Sequence, residues 1–282
     1  MHNTILLAVD PSTIDLTADD RLLSDALGHR GAQVRPYVWG QPLPHGAVVV
    51  VRSTWDYVES PERFRHWLDS LEHQHAVVHN PIRLMRWNMH KGYMLDLATR
   101  GVPIVPTCLL SRGSDQSLDS VSAERGWDDV VIKPAVGATA RLTIHLGRAG
   151  REHAQAHLQD LLAREDVLIQ PYLPAIVTEG ELSVVAIAGE LTHAVVKCPR
   201  QDDWRVQSEF GGTAERVPLT ETLRAAAHLV LAALETVPLY ARVDLVNDGR
   251  QLRLIELELI EPELFFRFAP ESAEAMAALL LT

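Results

Sequence analysis

The stretch Tyr240–Glu263, YARVDLVNDGRQLRLIELELIEPE, decides how the rest of the chain is read. It predicts two strands joined by a turn at Asp248-Gly249. Alternation of side chains puts Arg242 and Asp244 on one face of the first strand, and Glu256 and Glu258 on one face of the second. Three carboxylates then converge only under a condition on register. A two-residue Asp-Gly loop sets Asp244 opposite Arg253 and sends Asp244 and Glu256 to opposite faces, so a bulge or an odd-length loop is required. If that condition is met, the hard oxygen cluster suits Mg²⁺, which takes one or two carboxylates and fills its octahedron with phosphate oxygens and water. The arginine beside it points to phosphate. Taken alone, ELELIEPE reads equally well as a half-exposed strand with solvated charges, so the remaining sequence has to decide.

Composition narrows the classes. At 282 residues the chain fits about two domains on a soft prior of ~150 residues each. With 47% hydrophobic and 22% charged residues it has ordinary globular composition. A formal charge of −11 opposes non-specific attraction to a phosphate backbone, so nucleic acid is not an expected partner. The N-terminus MHNTILLAVDPS lacks a basic leader, and no run of about 18 apolar residues occurs, so no membrane partner is expected and the chain reads as cytoplasmic. Cys108 and Cys198 lack metal-ligand spacing and fit a reducing compartment. His73, His75 and His79 sit at a helix end without the further ligands of a tetrahedral site, and His153 and His157 read as helix surface.

Taken in order, Ile5–Val9, Val34–Trp39 and Ala47–Val51 predict strands, with helices over Ala18–Gly28 and Pro61–Leu71 between and after them. This is the pattern of an open parallel sheet. Neither G-x-G-x-x-G nor a Walker-type phosphate loop is present. Arg52, Thr54, Trp55, Asp56 and Tyr57 fall at the carboxyl end of the third strand, where open α/β sheets bind ligands. They are candidates for a substrate wall, Arg52 for a carboxylate and Asp56 for an ammonium; otherwise Arg52 and Asp56 pair with each other. Leu84–Arg100 predicts one amphipathic helix carrying Lys91, ended by Gly101 and Pro103. In Val130–Pro134, VVIKP, Lys133 interrupts a β-branched run. Burying it without a partner is costly, which suggests an anion, with Ala135–Arg141 as a small-residue loop over phosphate; a charge on an exposed edge strand is the other reading. Val105–Leu110, Val167–Gln170, Glu181–Ala188 and Leu191–Lys197 predict further strands. Helices are expected over Ser117–Arg125, Glu152–Ala163 and Leu219–Leu234, giving an α+β second half.

Over roughly Leu84–Phe266, VVIKP, QPYLPAI with GELSVVAIAGEL, WRVQSEFGGT, YARVDLV and LIELE occur in an order that resembles the ATP-grasp carboxylate-amine ligases, in the glutathione-synthetase-like branch. The resemblance implies an ATP-grasp fold behind an N-terminal open parallel-sheet domain, divided as 1–83, 84–165 and 166–282. It implies that ATP and Mg²⁺ are bound. By position, Lys91 and Lys133 match the lysines on the α- and β-phosphates, the backbone of Gln170, Pro171, Tyr172 and Leu173 the adenine hinge, and Glu181 the ribose contact. Lys197, Arg205 and Arg242 match cations near the γ- and acyl phosphates, and Asp244, Glu256 and Glu258 the magnesium ligands. Three departures stand out. The phosphate loop keeps only Gly137, which predicts a stiffer lid; Ser183 stands where arginine is frequent; Gln207 and Glu258 stand where asparagine is common.

The implied chemistry is ATP-dependent activation of a small amino-acid carboxylate as an acyl phosphate, which a nitrogen nucleophile attacks to form a C–N bond. The segments RSTWDY and NPIRLMRWNMHKGYML are similar to the group that contains O-ureido-D-serine cyclo-ligase, which implies ring closure within one molecule. An intermolecular amino-acid or dipeptide ligase is the alternative within the class, and an inactive nucleotide-binding module the alternative outside it. Self-association is left open.

Overall fold

The structure, a computed structural model, describes residues 4–147 and 150–282. Residues 1–3, part of the N-terminal stretch read for a leader, lie outside that range. Four parallel strands open the chain: β1 (Thr4–Val9), β2 (Gln33–Val38), β3 (Val48–Val51) and β4 (Val77–His79), in the order β2-β1-β3-β4. Helices α1 (Ala18–His29) and α2 (Pro61–His73) make the crossovers that parallel pairing requires. Thr17 caps α1 by accepting the Asp20 N–H at 3.1 Å, which fixes the acidic first turn beside the carboxyl ends of the strands.

The predicted Leu84–Arg100 helix is broken into α3 (Ile82–Asn88) and α4 (Tyr93–Thr99). In a continuous helix the Lys91 N–H bonds back to Trp87; here it donates to Ala135 O at 2.7 Å. Asn88 meanwhile donates to Leu257 O at 2.8 Å and accepts from Leu259 N at 2.9 Å. The break therefore buries two otherwise unmade bonds of the opening hairpin and turns Lys91 inward.

The middle sheet, β5 (Cys108–Leu110), β6 (Val130–Pro134), β7 (Ile144–Leu146) and β8 (Val167–Pro171), is antiparallel in the order β5-β8-β6-β7. It is backed by α5 (Leu118–Arg125) and α6 (Arg151–Leu162), whose Leu158 and Leu161 join Val130, Ile132 and Ile169 in one core. Because β8 pairs with β5 and β6, this sheet extends past the boundary at 165 drawn from sequence. After the short α7 (Ala175–Thr178) come β9 (Glu181–Ile187), β10 (Glu190–Cys198), β11 (Thr213–Val217), α8 (Glu221–Ala232), β12 (Tyr240–Asn247) and β13 (Leu252–Glu258), forming an antiparallel sheet ordered β11-β10-β9-β12-β13. β11, in a segment too polar to predict a strand, sits at an edge where charged side chains are tolerated. The last helix, α9 (Pro270–Leu280), packs against α1 of the first domain, with Met276, Ala277, Leu23 and Leu27 in a shared core.

The two faces of this last sheet part the work. Val184, Ala186, Val243 and Leu257 pack under α8, whereas Glu181, Ser183, Lys197, Arg242 and Asp244 alternate to the other side. No helix among the described residues is long and apolar enough to cross a membrane.

Candidate active site

The register condition set by the hairpin is met by a bulge. Asp248–Gln251 forms the turn, closed by Asp248 N donating to Gln251 O at 3.1 Å, with Gly249 at φ 84°. Pairing then runs Asn247↔Leu252 to Leu245↔Leu254, a register that would bring Ile255 opposite Asp244. Instead Ile255 is extra, Glu256 falls opposite Asp244, and Glu258 opposite Arg242. Asp244, Glu256 and Glu258 each bring an oxygen within 4.8 Å of the others, a donor set that fits a hard divalent cation.

Cations interleave these acids. Arg242 Nε lies 2.9 Å from Asp244 and its Nη2 also reaches Glu258; Lys91 pairs with Glu256; Lys197 pairs with Glu181 and lies 3.1 Å from Asp244. Ser183, in place of arginine, donates to Asp244 at 2.6 Å. Burial opposes the charge on Asp244, yet Arg242 and Lys197 hold its carboxyl well below the usual range. Glu256 is likewise held low, against burial, by Lys91 and Lys133. Glu258 goes the other way: burial pushes it up to about 7 despite Arg242, with Glu256 and Asp244 repelling its charge. Lys133 makes no ion pair among the described residues; burial pulls its ammonium down to about 8, partly offset by Glu256. Its half-buried chain faces the acids across the gap between the two antiparallel sheets, so the exposed-edge reading does not hold.

That gap is a cavity of about 490 Å³. Its lining includes the apolar Val105, Val131, Leu173, Ile176, Val206 and the bulged Ile255, together with Gln170 and Pro171, which the sequence assigned to an adenine hinge. Gln170 is turned away by a 2.9 Å bond to Thr107 Oγ1, and Tyr172 is outside the lining: its ring stacks on His145 at 3.7 Å and its N–H donates to Asp129 O. Arg205 lines the cavity, paired with Asp203 and lying 3.7 Å over the Phe210 ring. The loop over the cavity reaches the left-handed region at Thr139, Ala140 and Leu142, without glycine.

The Arg52–Tyr57 cluster is arranged differently from either expectation. Arg52, 2% exposed, lies 2.8 Å from Asp20 and 3.7 Å from Asp19, and its Nη2 donates to Pro262 O at 3.0 Å. The acids of the first turn of α1 are nearer than Asp56, which accepts from Trp39 Nε1 at 2.5 Å and is outside the cavity lining, as is the buried Thr54. Asp56 therefore does not face this cavity. Trp55 and Tyr57 do line the cavity, and Trp55 Nε1 donates to Glu261 O at 3.2 Å. Sequence reasoning passed over Asp19, Asp20, Tyr93 and Glu261. Asp19 and Asp20 lie in the acidic first turn of a helix, where acids are common; Tyr93, whose hydroxyl accepts from Leu257 N at 2.8 Å, carries no signal in the sequence; and Glu261 falls in the stretch expected to be strand, which in fact ends at Glu258.

Comparison with known proteins places this geometry. The ATP-grasp domain of prokaryotic glutathione synthetase matches residues 97–265, and the N-terminal domain of D-cycloserine synthetase DcsG matches residues 5–80. Cycloserine biosynthesis protein DcsG of Streptomyces lavendulae is 31% identical over 245 residues, 82% of this chain and 81% of that one. Glutathione synthetase of Mesorhizobium japonicum is 27% identical over 56% of this chain and 48% of its own. A crystal structure of D-cycloserine synthetase DcsG superposes with a TM-score of 0.88 at 28% identity, covering 99% of each chain. D-Alanine–D-alanine ligase from Bacillus anthracis shares the fold, with a TM-score of 0.68 at 15% identity over 99% of this chain and 94% of that one. With both domain models matched in order and the bulged carboxylate hairpin in place, the chain belongs to the ATP-grasp ligases of the glutathione-synthetase-like family.

Proposed function

We propose that the chain uses ATP to activate the carboxylate of a small amino-acid-like substrate as an acyl phosphate, and that a nitrogen of the same molecule displaces the phosphate to close a ring, as in the formation of D-cycloserine from O-ureido-D-serine. ADP and phosphate leave, and the carbamoyl group on the ring nitrogen is lost by hydrolysis as carbon dioxide and ammonia. The observation that carries this is that Lys133, without an ion pair among the described residues, lines one cavity with Glu256 and Glu258, whose carboxylates cluster with that of the buried Asp244. The likeness of the chain to a cycloserine biosynthesis protein, over 82% of its length, supports the ring-closing form.

The residues divide the work by charge. Lys91 and Lys133 take the α- and β-phosphates, the backbone of Gln170–Leu173 takes adenine, and Glu181 takes ribose. Lys197, Arg205 and Arg242 take the γ-phosphate and then the acyl phosphate. Asp244, Glu256 and Glu258 hold magnesium, which when bound supplies neutralisation of charge on the transferring group. Lys91, Lys197 and Arg242 already pair with these acids, so the arrival of a polyphosphate exchanges partners instead of exposing bare charge. Phosphoryl transfer needs mainly such positioning and electrostatics.

The test is ATP turnover with magnesium and O-ureido-D-serine, followed by mass analysis. D-Cycloserine formed in step with ADP is the expected result. Linked dipeptides from added amino acids, with no cyclic product, would refute ring closure.

A further inference from the structure

Beyond Glu258 the chain leaves the sheet and passes through buried Leu259 and Ile260 to Glu261, which is 7% exposed and lines the cavity. No other described residue donates a hydrogen bond or an ion pair to its carboxylate. The cations nearby are committed elsewhere, Lys91 to Glu256 and Arg242 to Asp244 and Glu258. The backbone around it, by contrast, is fixed from the first domain, by Trp55 on Glu261 O and by Arg52 on Pro262 O. Arg52 and Trp55 thus act on the residue that faces the ligand. In the same lining, Arg52 Nη1 is a buried polar atom without a hydrogen-bond partner. A buried carboxylate without an ion pair is costly to keep charged: burial, with Glu258 beside it, pushes this carboxyl up to about 8 despite Lys91, and a cationic ligand at the cavity wall would favour its ionised form.

We propose that Glu261 is the anchor for the ammonium group of the substrate, so that the site takes primary α-ammonium carboxylates and rejects their des-amino counterparts. This rests on the activation of an amino-acid carboxylate proposed above. Held against Glu261, the ammonium fixes the orientation of the neighbouring carboxylate and so presents it in one pose to the γ-phosphate and to the intended nitrogen.

Glu261→Gln keeps the shape and removes the charge. The probes are O-ureido-D-serine and 3-(ureidooxy)propanoic acid, compared by kcat/KM. The variant should lose at least ~10-fold with the amino probe and little with the other, while KM for ATP stays within about twofold, on the scale of one lost charged hydrogen bond. Glu261→Asp should fall between. An equal loss on both probes, together with a raised KM for ATP and a lowered Tm, would mean a structural role and overturn the proposal. If the wild type turns over neither probe, ring closure fails on its own. D-serine and D-alanine are then compared with 3-hydroxypropanoic and propanoic acids, by phosphate release and by calorimetric binding. A preference for the ammonium-bearing acids that disappears in Glu261→Gln supports the anchor. No such preference in the wild type overturns it.

Discussion

Replacing Lys133 by methionine should make the nucleotide-free protein more stable and its ATP binding worse. The side chain leaves β6 for the cavity, and burial lowers its ammonium from 10.5 to about 8; Glu256 opposes that shift and Lys91 adds to it. A difference of this size corresponds to ~3 kcal/mol at about 1.4 kcal/mol per pH unit, the cost of carrying the charge in the fold at neutral pH. Methionine fills similar space without the charge, so Tm without nucleotide should rise by roughly 5–10 °C for a protein of this size. The pH dependence has a fixed sign. The folded state holds fewer protons than the unfolded state between about 8 and 10.5, so wild-type stability climbs relative to the variant through that window. The gap is full below the window and closes above it. Calorimetry of both proteins from pH 7 to 10, with and without ATP and magnesium, makes the comparison. ATP should stabilise the wild type by mass action and the variant far less. A variant less stable than wild type at pH 7, or stabilised equally by ATP, would refute the reasoning.

Three further outcomes are expected. Glu256→Gln should keep the fold, with a lowered Tm because Lys91 loses its ion-pair partner, and lower turnover by at least ~10²-fold, the scale of one preorganised electrostatic group; wild-type turnover at limiting magnesium would remove Glu256 from the metal site. Arg52→Ala, expected from sequence alone to raise KM for the amino acid by ~10-fold, should instead lower stability by ~3–5 kcal/mol, because Asp19 and Asp20 are left buried and unpaired. Denaturant unfolding reads this, and wild-type stability with only a raised KM would return the arginine to the substrate. Asn88→Ala removes both bonds to the end of the hairpin at Leu257 and Leu259 and should cost ~1–3 kcal/mol, measured the same way, with unchanged stability showing that water replaces them.

What was legible in the sequence was local. The alternation in YARVDLV and LIELE grouped Arg242 with Asp244 and Glu256 with Glu258, the β-branched runs marked the buried strands, and the lysine in VVIKP stood out because its neighbours are apolar. These signals need only a strand's two-residue period and the cost of burying charge. The need for a bulge or an odd-length loop was legible too, since it is arithmetic on register, but the choice of a bulge, at Ile255, was not. Other features were decided by competition between distant partners. Lys91 left the predicted helix because Ala135 O offered its N–H another acceptor. Arg52 paired with Asp19 and Asp20, and not with Asp56, because the cap at Thr17 holds the α1 turn against the strand ends. Glu261 left the sheet because Trp55 and Arg52, from another domain, hold its backbone. A charged side chain shows in sequence what kind of partner it needs; which partner it meets is set by proximity in three dimensions, which only the packed tertiary structure supplies.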